Sequence, residues 1–101
     1  MTTATKSIAC KLTTLEFRER KATAISELKA FVVARTELGT GYGFGFEVTD
    51  EILDKINAFL KTERICCDFL TFQLTLHGNK ALLNITGPEG TKAFLRDEVG
   101  L

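Results

Sequence analysis

The apolar residues between positions 13 and 36 recur at intervals of three and four, which predicts a long helix with one buried face. Thr13 and Glu16 have the spacing of a capping box, so we expect the helix to begin there. Gly39 follows the periodic region and suits a helix end. The face toward the core carries Phe17, Ala24, Ile25, Leu28, Phe31 and Val32.

Two other segments alternate in the manner of strands. Ile8, Cys10 and Leu12 alternate with small or polar residues, which predicts a short strand with these three side chains facing inward. In the segment 39–48 aromatic residues alternate with glycine, so one face of this strand is bulky and the other is bare. A bare face lets another element approach closely. We prefer this interpretation to a phosphate-binding loop, because no helix follows at the required place.

Two further helices are predicted. The first begins at Thr49 or Asp50, either of which suits the N-cap position. Its apolar side carries Ile52, Leu53, Ile56, Phe59 and Leu60. The last helix is short. Gly87-Pro88 opens it, with proline suited to the first helical position, and it ends near Gly100.

Positions 71–86 have the pattern of a β-hairpin around Gly78-Asn79, a favoured two-residue turn. Pairing His77 with Lys80 brings three apolar pairs onto one face, namely Leu76 with Ala81, Leu74 with Leu83, and Phe72 with Ile85. All elements together predict an α+β fold in the order β-α-β-α-β-β-α, with a small, largely antiparallel sheet packed against helices. We expect a flexible N-terminal tail over 1–6 and a single domain over 7–101.

The composition of the chain excludes several classes of function. The chain has 13 basic and 13 acidic side chains, so no net field attracts nucleic acid or an anionic membrane surface. No apolar run approaches the roughly 20 residues of a membrane-spanning helix. The first residues lack a secretory signal, which predicts a cytoplasmic protein with reduced thiols. Three cysteines and one histidine exclude a zinc finger by ligand count.

Two adjacent cysteines, Cys66 and Cys67, are the residues whose reactivity goes beyond what folding requires. If the second helix continues through Cys67, an advance of about 100° per residue directs Glu63, Cys66 and Cys67 toward the core. Cys10 faces inward from its strand, so three thiols can converge. Soft metal or metalloid ions prefer thiolate ligands, which makes Cys66, Cys67, Cys10 and Glu63 the candidate ligands. The alternative is that each cysteine packs as a small hydrophobe.

Glu63 needs a partner on an apolar face, because a lone buried carboxylate costs several kcal/mol or takes up a proton. Lys21, near the apolar face of the first helix, and Arg35 are the candidates for a structural salt bridge. Arg64 is the candidate for lowering the pKa of the thiols, whereas burial and the carbonyl end of a helix raise it.

The segment Glu63-Arg64-Ile65-Cys66-Cys67-Asp68-Phe69 resembles the Glu-Arg-x-Cys-Cys-Pro-Phe motif of a family of small uncharacterised bacterial proteins. Thr86-Gly87-Pro88-Glu89-Gly90 fits the turn of that pattern, and the resemblance covers about residues 8–96. Asp68 stands where the pattern has proline, a residue that would end the helix at or before Cys67. The resemblance implies a self-contained bacterial domain and singles out the motif residues with Cys10, but it supplies no reaction.

Three functions remain open at this point. The leading one is a cytoplasmic thiol protein that binds a soft metal or metalloid ion through its vicinal cysteines. The second is a non-enzymatic interaction module. It would use the edge of the strand Tyr42–Val48, or the aromatic surface around that strand, to form a homodimer or hold a partner. The third is a thiol-dependent enzyme in which Cys66 or Cys67 acts with Glu63.

Overall fold

The structure, a computed structural model, describes residues 15–100, apart from the side chains of Phe17, Cys66 and Glu98. The described residues form an α+β fold in which a four-stranded antiparallel sheet packs against helices, as the sequence predicts. In chain order the elements are α1 (Leu15–Lys29), β1 (Ala34–Glu37), β2 (Gly41–Glu47), α2 (Asp50–Cys66), β3 (Thr71–His77), β4 (Lys80–Thr86) and α3 (Thr91–Phe94), which continues into a π-helical turn (Leu95–Val99). The predicted tail over 1–6 and the predicted strand over 7–12 lie outside the described residues.

The sheet has the order β1-β2-β4-β3, and every neighbouring pair is antiparallel. The hairpin of β3 and β4 has the predicted register, with His77 opposite Lys80 and Phe72 opposite Ile85. A two-residue turn allows one register, and Gly78 supplies the positive φ of 61° that this turn requires. The hairpin was therefore predictable from its turn and its alternation.

The first helix is shorter than predicted. It ends at Lys29, whereas the periodicity predicts a helix to about Thr36. Most of β1 lies within the residues predicted to be helical. The backbone N–H of Phe31 donates to the Leu28 carbonyl (3.0 Å), a short-range bond that tightens the final turn. The chain then extends and pairs with β2, where the N–H of Val33 donates to the Gly45 carbonyl (2.9 Å). Gly39 lies in the connection between β1 and β2 rather than at a helix end.

The glycine-rich strand β2 has the predicted faces but a different place in the sheet. Phe44 and Phe46 are buried against the helices. A Cβ added to Gly41 would lie 1.8 Å from the Ile85 carbonyl oxygen, so the bare face does permit close backbone approach. However, β2 lies between β1 and β4, and its edges are both paired. Over Tyr42–Gly45 this strand therefore has no unpaired edge among the described strands, and the homodimer itself stays a prediction.

Helix α2 forms as predicted and brings the core together. Thr49 is its N-cap, and its hydroxyl accepts a hydrogen bond from the backbone N–H of Ile52 (3.1 Å). Salt bridges between Lys21 and Glu63 and between Glu27 and Lys55 join opposite ends of α1 and α2, so the two helices are antiparallel. The core between helices and sheet contains Leu28, Phe44, Phe46, Ile52, Ile56, Phe59, Cys67, Phe69, Leu70, Ala81, Leu83, Ile85, Phe94, Leu95 and Val99.

The C-terminal segment begins later than predicted. Pro88 precedes the helical residues, and α3 starts at Thr91. The ring of Phe94 packs edge-on against that of Phe69, with centroids 5.1 Å apart, which ties this segment to the residues that follow α2. Gly100, at φ 70°, ends the π-helical turn as expected.

Burial is uneven across the sheet. The inward-facing Leu74 and Leu76 of β3 are 39% and 53% exposed, while their partners Leu83 and Ala81 on β4 are buried. The helices thus cover the centre of the sheet more fully than they cover β3, which is its edge among the described strands. Within 15–100, none of the helices has the length and apolarity needed to span a bilayer.

Candidate functional site at the end of the second helix

The last turn of α2 presents a carboxylate and a thiol on the same side. Glu63 and Cys67 are one helical turn apart, and Cys67 is the C-cap, where its backbone N–H donates to the Glu63 carbonyl (2.7 Å). Cys67 is 0% exposed and Glu63 is 1% exposed. The prediction that this turn directs both side chains into the interior is confirmed.

Lys21, on α1, is the partner of Glu63. Its Nζ lies 2.6 Å from Oε1 and 2.8 Å from Oε2, so the ammonium donates to both carboxylate oxygens. The Lys21 side chain is 12% exposed, which leaves this ion pair nearly removed from water. The predicted structural salt bridge with Lys21 is confirmed, and it relieves the cost of the buried carboxylate.

The thiol of Cys67 belongs to the same group of atoms. Its Sγ lies 3.7 Å from Glu63 Oε1, to which the S–H donates, and 3.9 Å from Lys21 Nζ. Burial and the negative charge of Glu63 raise the pKa of the Cys67 thiol to about 11, while the positive charge of Lys21 opposes that rise in part. At neutral pH the thiol is therefore protonated. We call Lys21, Glu63 and Cys67 the buried cluster.

Lys21 is the cation that the described contacts place at this cluster, while the effect of Arg64 on Cys66 stays a prediction. Arg35, the alternative partner of Glu63, lies on β1, and the ammonium on Glu63 is that of Lys21. Arg64, predicted to lower the thiol pKa, is exposed in the last turn of α2, and the cation that acts on Cys67 is Lys21. Arg64 points elsewhere because it follows Glu63 by about 100° around the helix.

The structure brings together two of the four predicted metal ligands, Glu63 and Cys67. Cys66 lies between them on the chain, but its side chain is outside the described set, as is Cys10. No group of three His, Cys, Asp or Glu side chains suited to holding a metal ion occurs among the side chains described. The described donors are therefore one soft ligand and one carboxylate, with a lysine ammonium between them and solvent.

The contact between Lys21 and the Cys67 thiol was not predicted. The sequence indicates Lys21 as a partner for Glu63, but the contact with the thiol depends on how α1 and α2 pack against each other. A cation that reaches Glu63 in an antiparallel helix pair also reaches the residue one turn further along α2.

Comparison with models of known families, with curated proteins and with solved structures found no match to this chain.

Proposed function

We propose that this protein binds a soft metal or metalloid ion at the end of α2, with the Cys67 thiolate and the Glu63 carboxylate as ligands. The observation that supports the proposal is the 3.7 Å approach of Cys67 Sγ to Glu63 Oε1 in a buried site. Thiolate sulfur favours soft ions, and a carboxylate beside it adds charge. Cys66 and Cys10 are the proposed additional ligands. The ligands must be reduced, which fits the proposed cytoplasmic location in a bacterium.

Lys21 gives the proposal a specific mechanism. In the structure the Lys21 ammonium neutralises the Glu63 carboxylate, so Lys21 occupies the position at which an external cation would bind. An incoming ion displaces the proton of Cys67 and takes over the charge on Glu63, while the lysine side chain, which is 12% exposed, turns toward solvent. Each coordinated thiol releases one proton, so the affinity for the ion rises about tenfold per pH unit per thiol below the thiol pKa.

A titration of the reduced protein with Cd²⁺, followed by thiolate-to-metal charge-transfer absorption, tests this proposal. We expect Cys67→Ser to weaken binding at least tenfold, and Cys66→Ser and Cys10→Ser to show whether the other two thiols take part. Circular dichroism verifies that each variant is folded. Equal binding by wild type and by the Cys66→Ser/Cys67→Ser double variant would overturn the proposal.

The raised pKa of Cys67 argues against this thiol as the nucleophile of a thiol-dependent enzyme. A nucleophilic cysteine works as thiolate, and enzymes lower its pKa for that purpose. The pKa of Cys67 is instead raised, to about 11, so this thiol lacks the activation that such an enzyme needs. Alkylation of Cys67 by iodoacetamide below pH 8 at the rate of an activated thiol would reverse this choice.

A homodimer is the second candidate function, and it is favoured by β3, the edge strand within residues 15–100. Strand β3 contains no Lys, Glu or Pro. These are residues that protect natural sheet edges from pairing with another chain. Its inward-facing Leu74 and Leu76 are partly exposed. We propose that β3 pairs with β3 of a second copy. An antiparallel pairing about a two-fold axis at Leu74 places Leu76 opposite Phe72 of the other copy, so each exposed leucine gains an apolar neighbour.

Sedimentation velocity across a dilution series tests the homodimer. The wild type should dimerise, Leu76→Lys should be monomeric, and Leu82→Lys, on the outer face of β4, should dimerise like the wild type. A wild type that stays monomeric throughout refutes the proposal. If removal of residues 1–12 then produced a dimer, the edge would be covered by this chain's own first residues instead.

A further inference from the structure

A concave site lies where the end of α1, β1, β2 and the π-helical turn meet. Its volume is about 440 Å³, within the range of pockets that hold small molecules. We call it the basic pocket. It is lined by Lys29, Arg35, Tyr42, Phe44, Leu95, Arg96 and Gly100, and it shares no residue with the buried cluster.

The inner part of the basic pocket is apolar and partly aromatic. Phe44 and Leu95 are core residues, 3% and 2% exposed, that present a fixed floor. The ring of Tyr42 lies beside that of Phe44, with centroids 6.4 Å apart and planes inclined by 40°. Two adjacent rings and an aliphatic side chain make a surface that suits a flat apolar group.

The rim of the basic pocket is cationic. Lys29, Arg35 and Arg96 contribute three positive charges, and no carboxylate lines the pocket in the described part of the chain. The nearby Glu37 is bound by Lys92 at 2.5 Å, and this contact, with a smaller effect of Arg96, lowers the pKa of its carboxyl. The charge of Glu37 is thus matched mainly by Lys92, and the exposed side chains of Lys29 and Arg96 are the cations on which the proposal rests.

We propose that the basic pocket binds a small organic anion with a flat apolar body and a carboxylate group. The body would lie on Phe44, Leu95 and Tyr42, and the carboxylate would face the ammonium and guanidinium groups at the rim. Arginine suits this arrangement because its planar group both stacks on flat ligands and pairs with carboxylates. The inference is independent of ion binding at the buried cluster.

Naphthoate and naphthamide are matched probes for this proposal, since they share one aromatic body and differ in charge. We expect naphthoate to bind at least tenfold more tightly, and its affinity to fall as salt is added. The Lys29→Gln/Arg96→Gln double variant should lose at least tenfold in naphthoate affinity. Both residues are exposed, so the fold should persist. The control is Lys61→Gln/Arg64→Gln, which removes two exposed charges from α2 and should leave the affinity unchanged.

Amide chemical-shift changes locate the bound probe. They should cluster at Phe44, Leu95 and Gly100. Three results would each overturn the proposal: equal affinity for naphthoate and naphthamide, equal loss of affinity in both double variants, or shifts confined to residues outside the basic pocket. Absence of naphthoate binding at any concentration up to its solubility would also refute it.

Discussion

At the scale of single residues, Cys67 combines complete burial with a hydrogen bond to a carboxylate, and this couples its ionisation to folding. The folded state holds the thiol proton more tightly than the unfolded state, because the pKa is raised from an ordinary value near 9 to about 11. Stability from this group is therefore complete below pH 9 and is lost as the pH rises through 11.

We expect the free energy of unfolding to fall by about 2 kcal/mol between pH 9 and pH 11 as a result of Cys67 alone. Other groups titrate in this range, so the measurement is the difference between wild type and Cys67→Ala in urea denaturation at each pH. The alanine variant is less stable at neutral pH because it leaves a small cavity, but its stability should change less across the range. Parallel pH profiles for the two proteins would contradict the assigned thiol pKa.

The Lys21–Glu63 pair gives a second prediction at this scale. Lys21→Met leaves the buried carboxylate without its cation, and we expect a loss of about 3 kcal/mol in the free energy of unfolding. The double variant Lys21→Met/Glu63→Leu should recover most of that loss, because neither charge remains buried. Lys80→Met is the control, since its contact with Glu47 is exposed, and it should change stability by less than about 0.5 kcal/mol. Equal effects of Lys21→Met and Lys80→Met would show that burial of the pair has no energetic consequence.

At the scale of secondary-structure elements, the glycines of the hairpin β1–β2 differ sharply in their surroundings. A Cβ on Gly41 would meet the backbone of β4 at Ile85, which cannot move without breaking the pairing of two strands. A Cβ on Gly39 would meet no atom within 4 Å. We expect Gly41→Ala to cost about 3 kcal/mol and Gly39→Ala to be neutral or stabilising by a few tenths of a kcal/mol. Thermal unfolding of the two variants decides this, and similar melting temperatures would contradict the close approach at Gly41.

Elements whose pattern reflects a local rule were predicted, and those that depend on a distant partner were not. The register of β3 and β4 follows from a two-residue turn and the apolar alternation around it. Strand β1 has four exposed residues and no apolar alternation, so its strand conformation comes from hydrogen bonds to β2. Phe31 and Val32 continue the helical spacing of α1, which is why periodicity extended that helix too far.

In the candidate site, too, the features set by local sequence were predictable and those set by tertiary packing were not. The partnership of Lys21 with Glu63 was predictable, because each residue lies near the apolar face of an amphipathic helix and the two charges are opposite. The contact of Lys21 with the Cys67 thiol depends on the antiparallel packing of α1 and α2, which local sequence does not specify. The basic pocket was not predictable for the same reason, since its lining comes from four separate elements.

At the scale of the whole molecule, the helices cover one face of the sheet, and this one-sided architecture has a direct energetic consequence on β4. Leu82 and Leu83 are neighbours in sequence, but Leu83 faces the helices and is 0% exposed, while Leu82 faces away and is 40% exposed. Leu83→Ala should therefore cost about 3 kcal/mol in the free energy of unfolding, whereas Leu82→Ala should cost less than about 1 kcal/mol. Urea denaturation of both variants at one protein concentration measures the difference. A loss at Leu82 as large as that at Leu83 would mean that the outer face of the sheet is covered in solution, and the two-layer description of this fold would have to be abandoned.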